Sequence, residues 1–494
     1  MIPAGSIYRA ARSLALTVLL AAAASCSTYN SKTADIEVNL YNGNFKEASA
    51  GLDGNRLLQK ERNKLLYLLE KGKVEHLLGN YEASNNYLEQ AYIMVDDKIK
   101  TNAGQYVAAK FTNPMAEPYK GEDFEKVSIH YYKALNYFHL GRPADALVEA
   151  KRINIKLYEL NEKYKENKNK YSEDAFSQIL QGIIYESTGD VNNAFIAYRN
   201  AEEIYAKNEG KFFGTPMPQQ LKTDLMRTAR IMGFREEYEK YVKKYGEPNL
   251  PQQRPAGEAI IFWENGLIAA KDQVVITASG AGGAFVGTYN DGEVSEPIII
   301  PIPPDANLGV INAIAIPKYR VRPTYYTKAT VVVNGNEQPL ELGQDFYPIA
   351  KQCLKDRMLR EAIDIAVRFA AKKATGAGLG AIADQTLGKG WGDVIQAGAD
   401  IAGASTEKAD TRNWQTLPST ICYTRVSLKE SYNNFVIRKY GQDGVIDTEQ
   451  ITIPFRPGLQ LVNFYDLGRT QIIPDTKTQP ASVNHMQQTQ PQPK

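Results

Sequence analysis

The chain has 494 residues, 43% hydrophobic and 23% charged, so it can bury sizeable cores and is not a wholly disordered chain. Its 58 Lys and Arg stand against 56 Asp and Glu, a balance that excludes a general nucleic-acid binder, which needs a basic excess to displace counterions. Three cysteines exclude a disulfide scaffold, four histidines leave little for a metal centre, and no cofactor is expected.

Arg9 and Arg12 precede an apolar run from Leu14 to Ala24. The run is too short to span a bilayer as a mature helix and has the length of a signal-peptide core. It ends in Ala23-Ala24-Ser25-Cys26, which resembles a bacterial lipobox, with Ala23 where Leu is usual. The resemblance implies a signal peptide over 1–25, lipids including palmitate on Cys26, and a short tether over 26–33. Ser27 rather than Asp after the cysteine resembles an outer-membrane sorting signal. The stretch 27–32 lacks the acidic cluster of a surface-export signal, so the body is expected on the periplasmic side.

Residues 34–246 read as helical and repeat internally. Gly182 and Tyr185, then Gly189-Asp190, then Ala194, Tyr198 and Ala201 resemble a tetratricopeptide repeat. Small residues would let two helices approach, a glycine would turn the chain, and the tyrosines would fill the holes beside them. A second copy runs Ala134, Tyr137, Gly141, Ala146, Ala150. A third runs Gly72, Gly79-Asn80-Tyr81, Ser84, Leu88, Ala91. A half-copy opens at Gly43-Asn44-Phe45 and a degenerate one follows at Gly233-Phe234. The uneven glycine spacing places insertions at about 95–125 and 160–172. Such a stack leaves a concave groove, expected here to bind a protein partner. His76, His130 and His139 read as packing histidines, with no metal-binding spacing around them.

Residues 247–256, rich in proline, read as a linker. Short β-branched runs follow over 257–473: Ala259–Trp263, Val274–Thr277, Ile298–Ile302, Val310–Ile316, Ala329–Val333, Ile421–Leu428, Phe435–Arg438, Ile451–Phe455 and Leu459–Phe464. They predict a β-rich, sandwich-like domain, interrupted by a helical hairpin insert at about 345–404. Gly280 to Phe285 reads as a glycine turn, and 474–494 as a disordered tail. The fold class is multidomain, an all-α tetratricopeptide-like solenoid followed by β-structure.

The block Ala409-Asp410-Thr411-Arg412-Asn413-Trp414-Gln415-Thr416-Leu417-Pro418, with Glu264-Asn265-Gly266 and the Asn334-Gly335 hairpin, resembles a family of bacterial lipoproteins with N-terminal helical repeats. The resemblance covers most of 30–465. That family has no established reaction, so it implies architecture and address rather than chemistry.

No phosphate loop, dinucleotide loop or nucleophile elbow survives inspection, and 257–473 contains no histidine to serve a nucleophilic cysteine. Asp410, Arg412 and Trp414 form the remaining constellation, a structural pair or a ligand site. Cys353 and Cys422 read as buried free thiols or a bridge. The favoured function is a non-catalytic, lipid-anchored scaffold whose repeat groove binds an envelope protein. The alternative is a peptidoglycan-binding or hydrolysing protein using carboxylates near Asp410.

Overall fold

The computed structural model describes residues 29–98, 117–162, 170–357 and 409–467, with short breaks at 252, 254, 282–283, 291–294, 302–311 and 334. The signal segment with Cys26, most of the expected helical insert and the tail lie outside the described residues. Of the two expected insertions, 99–116 and 163–169 lie outside them as well.

Five helical hairpins come first. They are α1 (Tyr29–Tyr41) with α2 (Phe45–Gly54), α3 (Lys64–Leu77) with α4 (Tyr81–Lys98), α5 (Asp123–His139) with α6 (Pro143–Glu162), α7 (Ala175–Ser187) with α8 (Val191–Lys207), and α9 (Gln219–Ile231) with α10 (Arg235–Tyr245). Gly43, Gly79, Gly141, Gly189 and Gly233 turn them, all at φ between 70° and 80°. In each turn the amide after the glycine bonds back to a carbonyl five residues earlier, as in Asn80 N to Glu75 O at 2.9 Å and Arg142 N to Tyr137 O at 2.8 Å. This left-handed stop is nearly free for glycine and strained for other residues. The two copies that look partial in sequence are therefore complete hairpins.

Helix contacts depend on the small residues. A Cβ at Gly72 would lie 2.7 Å from Leu88 Cδ2, and one at Gly182 would lie 2.3 Å from Tyr198 Cε1. Ala91, Ala134, Ala146, Ala194 and Ala201 are fully buried. Tyr198 is buried as well, its hydroxyl donating to Glu186, whereas Tyr185 is half-buried under Lys151.

After a two-stranded hairpin, β1 (Lys211–Phe212) and β2 (Thr215–Pro216), the remaining strands build three four-stranded sheets. The first has the order β10 (Glu341–Asp345), β11 (Pro418–Leu428), β3 (Gly257–Leu267), β14 (Gly458–Asp466). The second is β13 (Ile446–Pro454), β12 (Tyr432–Gly441), β8 (Tyr326–Val333), β9 (Asn336–Pro339). The third is β6 (Ser295–Pro301), β5 (Ala284–Asn290), β4 (Ala270–Ala281), β7 (Asn312–Arg320). A helix, α11, follows β10, with 346–357 described. The glycine-rich stretch expected as a simple turn divides between the end of β4 and the start of β5, with Ala281 opposite Ala284.

Every residue of β3 is buried, because it lies between two layers. Side chains alternate along a strand. Ala259, Ile261 and Trp263 join Ala329, Val331 and Ile437 between the first and second sheets. Ile260 and Phe262 join Tyr132, Phe176 and Ile179 of the helices in the other core. That core runs without interruption from Tyr29 to Leu461, so repeats and first sheet share one apolar interior. Cys353 and Cys422 are buried free thiols, and burial pushes Cys422 up to about 12.

Candidate functional site: the seam between repeats and sheet

The first helices of the hairpins, α3, α5, α7 and α9, line the face that a repeat stack normally offers to a partner. Here the first sheet covers it. From Leu65 to Leu77 every residue of α3 is buried, and α5 is buried around its circumference from Val127 to Asn136. Phe176 of α7 packs edge-on against Phe262 and Tyr423, and lies so close to Gly343 that a Cβ there would sit 2.7 Å from its ring. The groove assigned from sequence to a protein partner is filled by the chain itself. The physical reason is that the sheet has two apolar faces and only one is covered by the second sheet.

Polar helix residues in this seam are matched to the sheet. Lys73 of α3 donates to Glu264 Oε2 at 2.5 Å, and Tyr132 of α5 reaches the same oxygen at 3.2 Å. Lys73 also lies 4.1 Å above the Tyr132 ring. His76 Nδ1 meets Asn136 Oδ1 at 2.5 Å, and its Nε2 meets the Tyr465 hydroxyl of β14 at 2.6 Å. Burial and the Lys73 charge hold His76 well below its ordinary value, so it is neutral.

A second group surrounds Arg425 of β11. Its guanidinium meets Glu186 of α7 at 2.5 Å, Asp224 of α9 at 2.8 Å and Glu258 of β3 at 3.2 Å. Arg227 of α9 clamps both oxygens of Glu186 at 2.7 Å. Burial alone would raise Glu186, but Arg425 and Arg227 outweigh it and hold the carboxyl at about 2. A third group joins Glu122, at the start of α5, to Lys271 of β4 and to Arg357 of α11, the latter at 2.7 Å.

The block 409–418 forms a strap across the repeats. Trp414 N donates to Glu125 Oε1 at 2.7 Å, Gln415 N to Glu70 Oε1 at 2.7 Å and Thr416 N to Glu70 Oε2 at 3.1 Å. Three consecutive backbone amides are thus captured by carboxylates of α3 and α5, which supply the acceptors an extended buried segment requires. Trp414 is fully buried, its Nε1 donating to Thr416 Oγ1 at 2.9 Å. Arg412 grips Asp410 through Nε at 2.8 Å and Nη2 at 2.7 Å, and bonds Asn63 Oδ1 and Glu117 O. Arg412 thereby holds the strap to the repeats, because Asn63 and Glu117 converge there.

Asp410 and Arg412 pair directly, whereas the Trp414 ring packs 6.0 Å from the Tyr132 ring, beside Lys73 and Glu264. Sequence reasoning missed Glu70, Lys73, Glu125, Glu186, Asp224 and Arg227, all charged residues within helices. The available signal was Glu264 and Arg425, ionisable residues inside largely buried strands.

No family model and no curated protein matches the chain. Among solved structures it is similar to nearly identical TPR-like repeats of a Podosopora anserina kinesin light chain, at 14% identity over 44% of this chain and 92% of that one, with a TM-score of 0.29. It is also similar to MamA, at 17% identity over 44% of this chain and 92% of that one, with a TM-score of 0.26.

Proposed function

We propose that the protein is a non-catalytic scaffold of the cell envelope, held by lipid on Cys26 to the periplasmic side of the outer membrane, and that it contacts a protein partner through its outer helices. The single observation that carries the reading is the outer face of α6. Val148, Ile155 and Tyr158 are 50%, 55% and 66% exposed on one side of that helix, with Ala144 in line and Lys151 between Val148 and Ile155. The corresponding positions are Glu82, Asn86 and Ile93 in α4, of which Ile93 is 48% exposed, and Asn192, Ile196 and Glu203 in α8, so the exposed apolar stripe is longest on α6. Contiguous exposed apolar residues mark interaction surfaces more often than scattered ones do. The inner helix faces are committed to the sheet, and Arg412 occupies both oxygens of Asp410, the carboxylate on which a hydrolytic reading depends.

Photo-crosslinkers at Ile155 and Tyr158 in envelopes should capture one defined protein, whereas crosslinkers at Asn86 and Glu203 should not. Val148→Asp should abolish that product without lowering the melting temperature. Cys26→Ala should move the protein from the membrane fraction to the soluble periplasm. Loss of crosslinks at every position would sink the scaffold reading, and an unmoved Cys26→Ala protein would sink the anchor.

A further inference from the structure

The second sheet ends in two unlike edges. β9 has four residues, finishes in Pro339, and turns Gln338 Nε2 onto Thr424 Oγ1 at 2.6 Å and Arg425 O at 2.8 Å, so it is short and tied to the first sheet. β13 has nine residues and pairs with β12 from Ile446 opposite Tyr440 to Ile453 opposite Asn433 without a bulge. It carries no Lys or Arg, and its one proline, Pro454, is its last residue. Shortness, lysine, an inner proline and a bulge each keep an edge from pairing, and β13 has none of them. Among the described residues its only strand neighbour is β12, and side-chain cover of its carbonyls is confined to Ile453 O and Pro454 O, taken by Asn433 and Gln460. On such an edge every second residue offers both its N–H and its C=O to a further strand.

The one protective device β13 keeps is charge on its inner side, and that charge selects the occupant. Side chains alternate along the strand. Ile451 and Ile453 face the core between the first and second sheets, which puts Glu449 and Asp447 on that same side. Asp447 accepts from the Tyr326 hydroxyl at 2.6 Å. Lys439, opposite Asp447 in β12, is shared by Glu449 at 3.1 Å and Asp466 of β14 at 2.5 Å. Three carboxylates thus stand at the rim with one ammonium, and the Glu449 side chain is still 48% exposed. The outer side carries Ile446, Thr448, Gln450 and Thr452, with Arg438 opposite Thr448 already taken by Glu337.

We propose that β13 is the docking edge for an extended protein segment that adds to the second sheet as a fifth strand, antiparallel to β13. The segment carries two apolar residues, opposite Ile453 and Ile451, and then two basic residues, opposite Glu449 and Asp447, at alternate positions. The direction follows from the sheet, whose pairs are all antiparallel, and the direction fixes that order. Opposite charges across a strand pair attract and like charges repel. A second copy of β13 is therefore a poor occupant, since it brings two further carboxylates to a rim that already holds three. This edge is distinct from the α6 stripe and stands without it.

The test selects displayed random peptides of about ten residues, one strand's length, on the full chain. Bound peptides should share the pattern of two apolar and then two basic residues at alternate positions. The tightest of them, made synthetically, should slow amide hydrogen exchange across 446–454 and leave the exchange of α6 unchanged. Glu449→Lys should weaken that peptide about fivefold, the order expected for reversing one cross-strand charge pair. Glu236→Lys, on the exposed side of α10, should leave its affinity within about twofold. Should Glu449→Lys fail to fold beside Lys439, the exchange measurement on the wild-type chain decides alone. Selection of no peptide, peptides without the two basic residues, protection that falls elsewhere, or equal weakening by both variants would each overturn the proposal. So would slow exchange at every amide of 446–454 in the chain alone, because the edge would then already be filled by the chain's own tail or by a second copy.

Discussion

Lys73 on the second repeat hairpin and Glu264 in the middle of β3, 191 residues later, meet at 2.5 Å with side chains only 2% and 1% exposed. This pair sits where the inner face of the repeats meets the sheet, so it reports on whether the two halves fold as one. A buried pair adds little against an apolar substitute, but breaking one partner strands a charge and costs roughly 3–5 kcal/mol. Lys73→Met and Glu264→Gln should each destabilise the whole molecule by that order, and the double variant should cost clearly less than their sum. Urea unfolding of the four proteins measures the coupling. Additive losses would mean that the side chains do not interact.

Gly182 allows α7 and α8 to approach, with its absent Cβ only 2.3 Å from the Tyr198 ring. Tyr198 is fully buried and its hydroxyl is bound by Glu186, so the ring has nowhere to retreat. Gly182→Ala should cost about 1–3 kcal/mol despite its better helix propensity. Gly54, at the end of α2 with nothing within 4 Å of the position of its Cβ, is the control. Gly54→Ala should be neutral or stabilising by up to about 1 kcal/mol. Thermal unfolding of the two variants distinguishes close packing from general intolerance of alanine.

Glu125 makes the strap sensitive to pH. Burial first, and then the charge of Glu122, push its carboxyl from the ordinary 4.5 up to about 7, against the hydrogen bonds from Tyr119, Trp414 N and Glu122 N. A carboxyl raised on folding binds its proton more tightly in the native state. Its contribution is therefore complete below about 4.5 and is lost as pH rises through about 7, amounting to roughly 3 kcal/mol. Stability measured by urea from pH 5 to pH 8 should fall more steeply with pH in the wild type than in Glu125→Gln. Identical slopes would show that Glu125 titrates at its ordinary value when folded.

Arg412 secures the strap by three kinds of partner: the Asp410 carboxylate, the Asn63 side chain and the Glu117 carbonyl. Arg412→Met should leave all three without the guanidinium and cost about 3–5 kcal/mol. Asp410→Asn removes one partner whose side chain still reaches solvent at 25% exposure, so it should cost less, of the order of 1–2 kcal/mol. A folded Asp410→Asn protein that had lost a hydrolytic activity on cell-wall material would reverse the scaffold reading.

Some of this molecule is decided within a few residues. The five turn glycines are legible because a left-handed helix stop is a local event: five residues of chain set the geometry and only glycine adopts it at little cost. Gly72, Gly182 and the buried alanines are legible because helical period places them on the contact stripe. Most strands announced themselves by β-branched runs, whereas β5, β9 and β10 did not, because Gly287 divides β5 and neither β9 nor β10 carries a β-branched residue. The seam could not be read in this way. Trp414 N meets Glu125 across 289 residues, Gln415 N meets Glu70 across 345, and Arg425 meets Glu186 across 239. Nothing near Glu70 or Glu125 in the chain says that a distant strap will present three unpaired amides to them. A charged residue on a helix looks the same in sequence whether it faces water or a buried partner. Only the closing of the sheet onto the repeats removed the water, and with it decided that these carboxylates hold the chain together and that the groove is full.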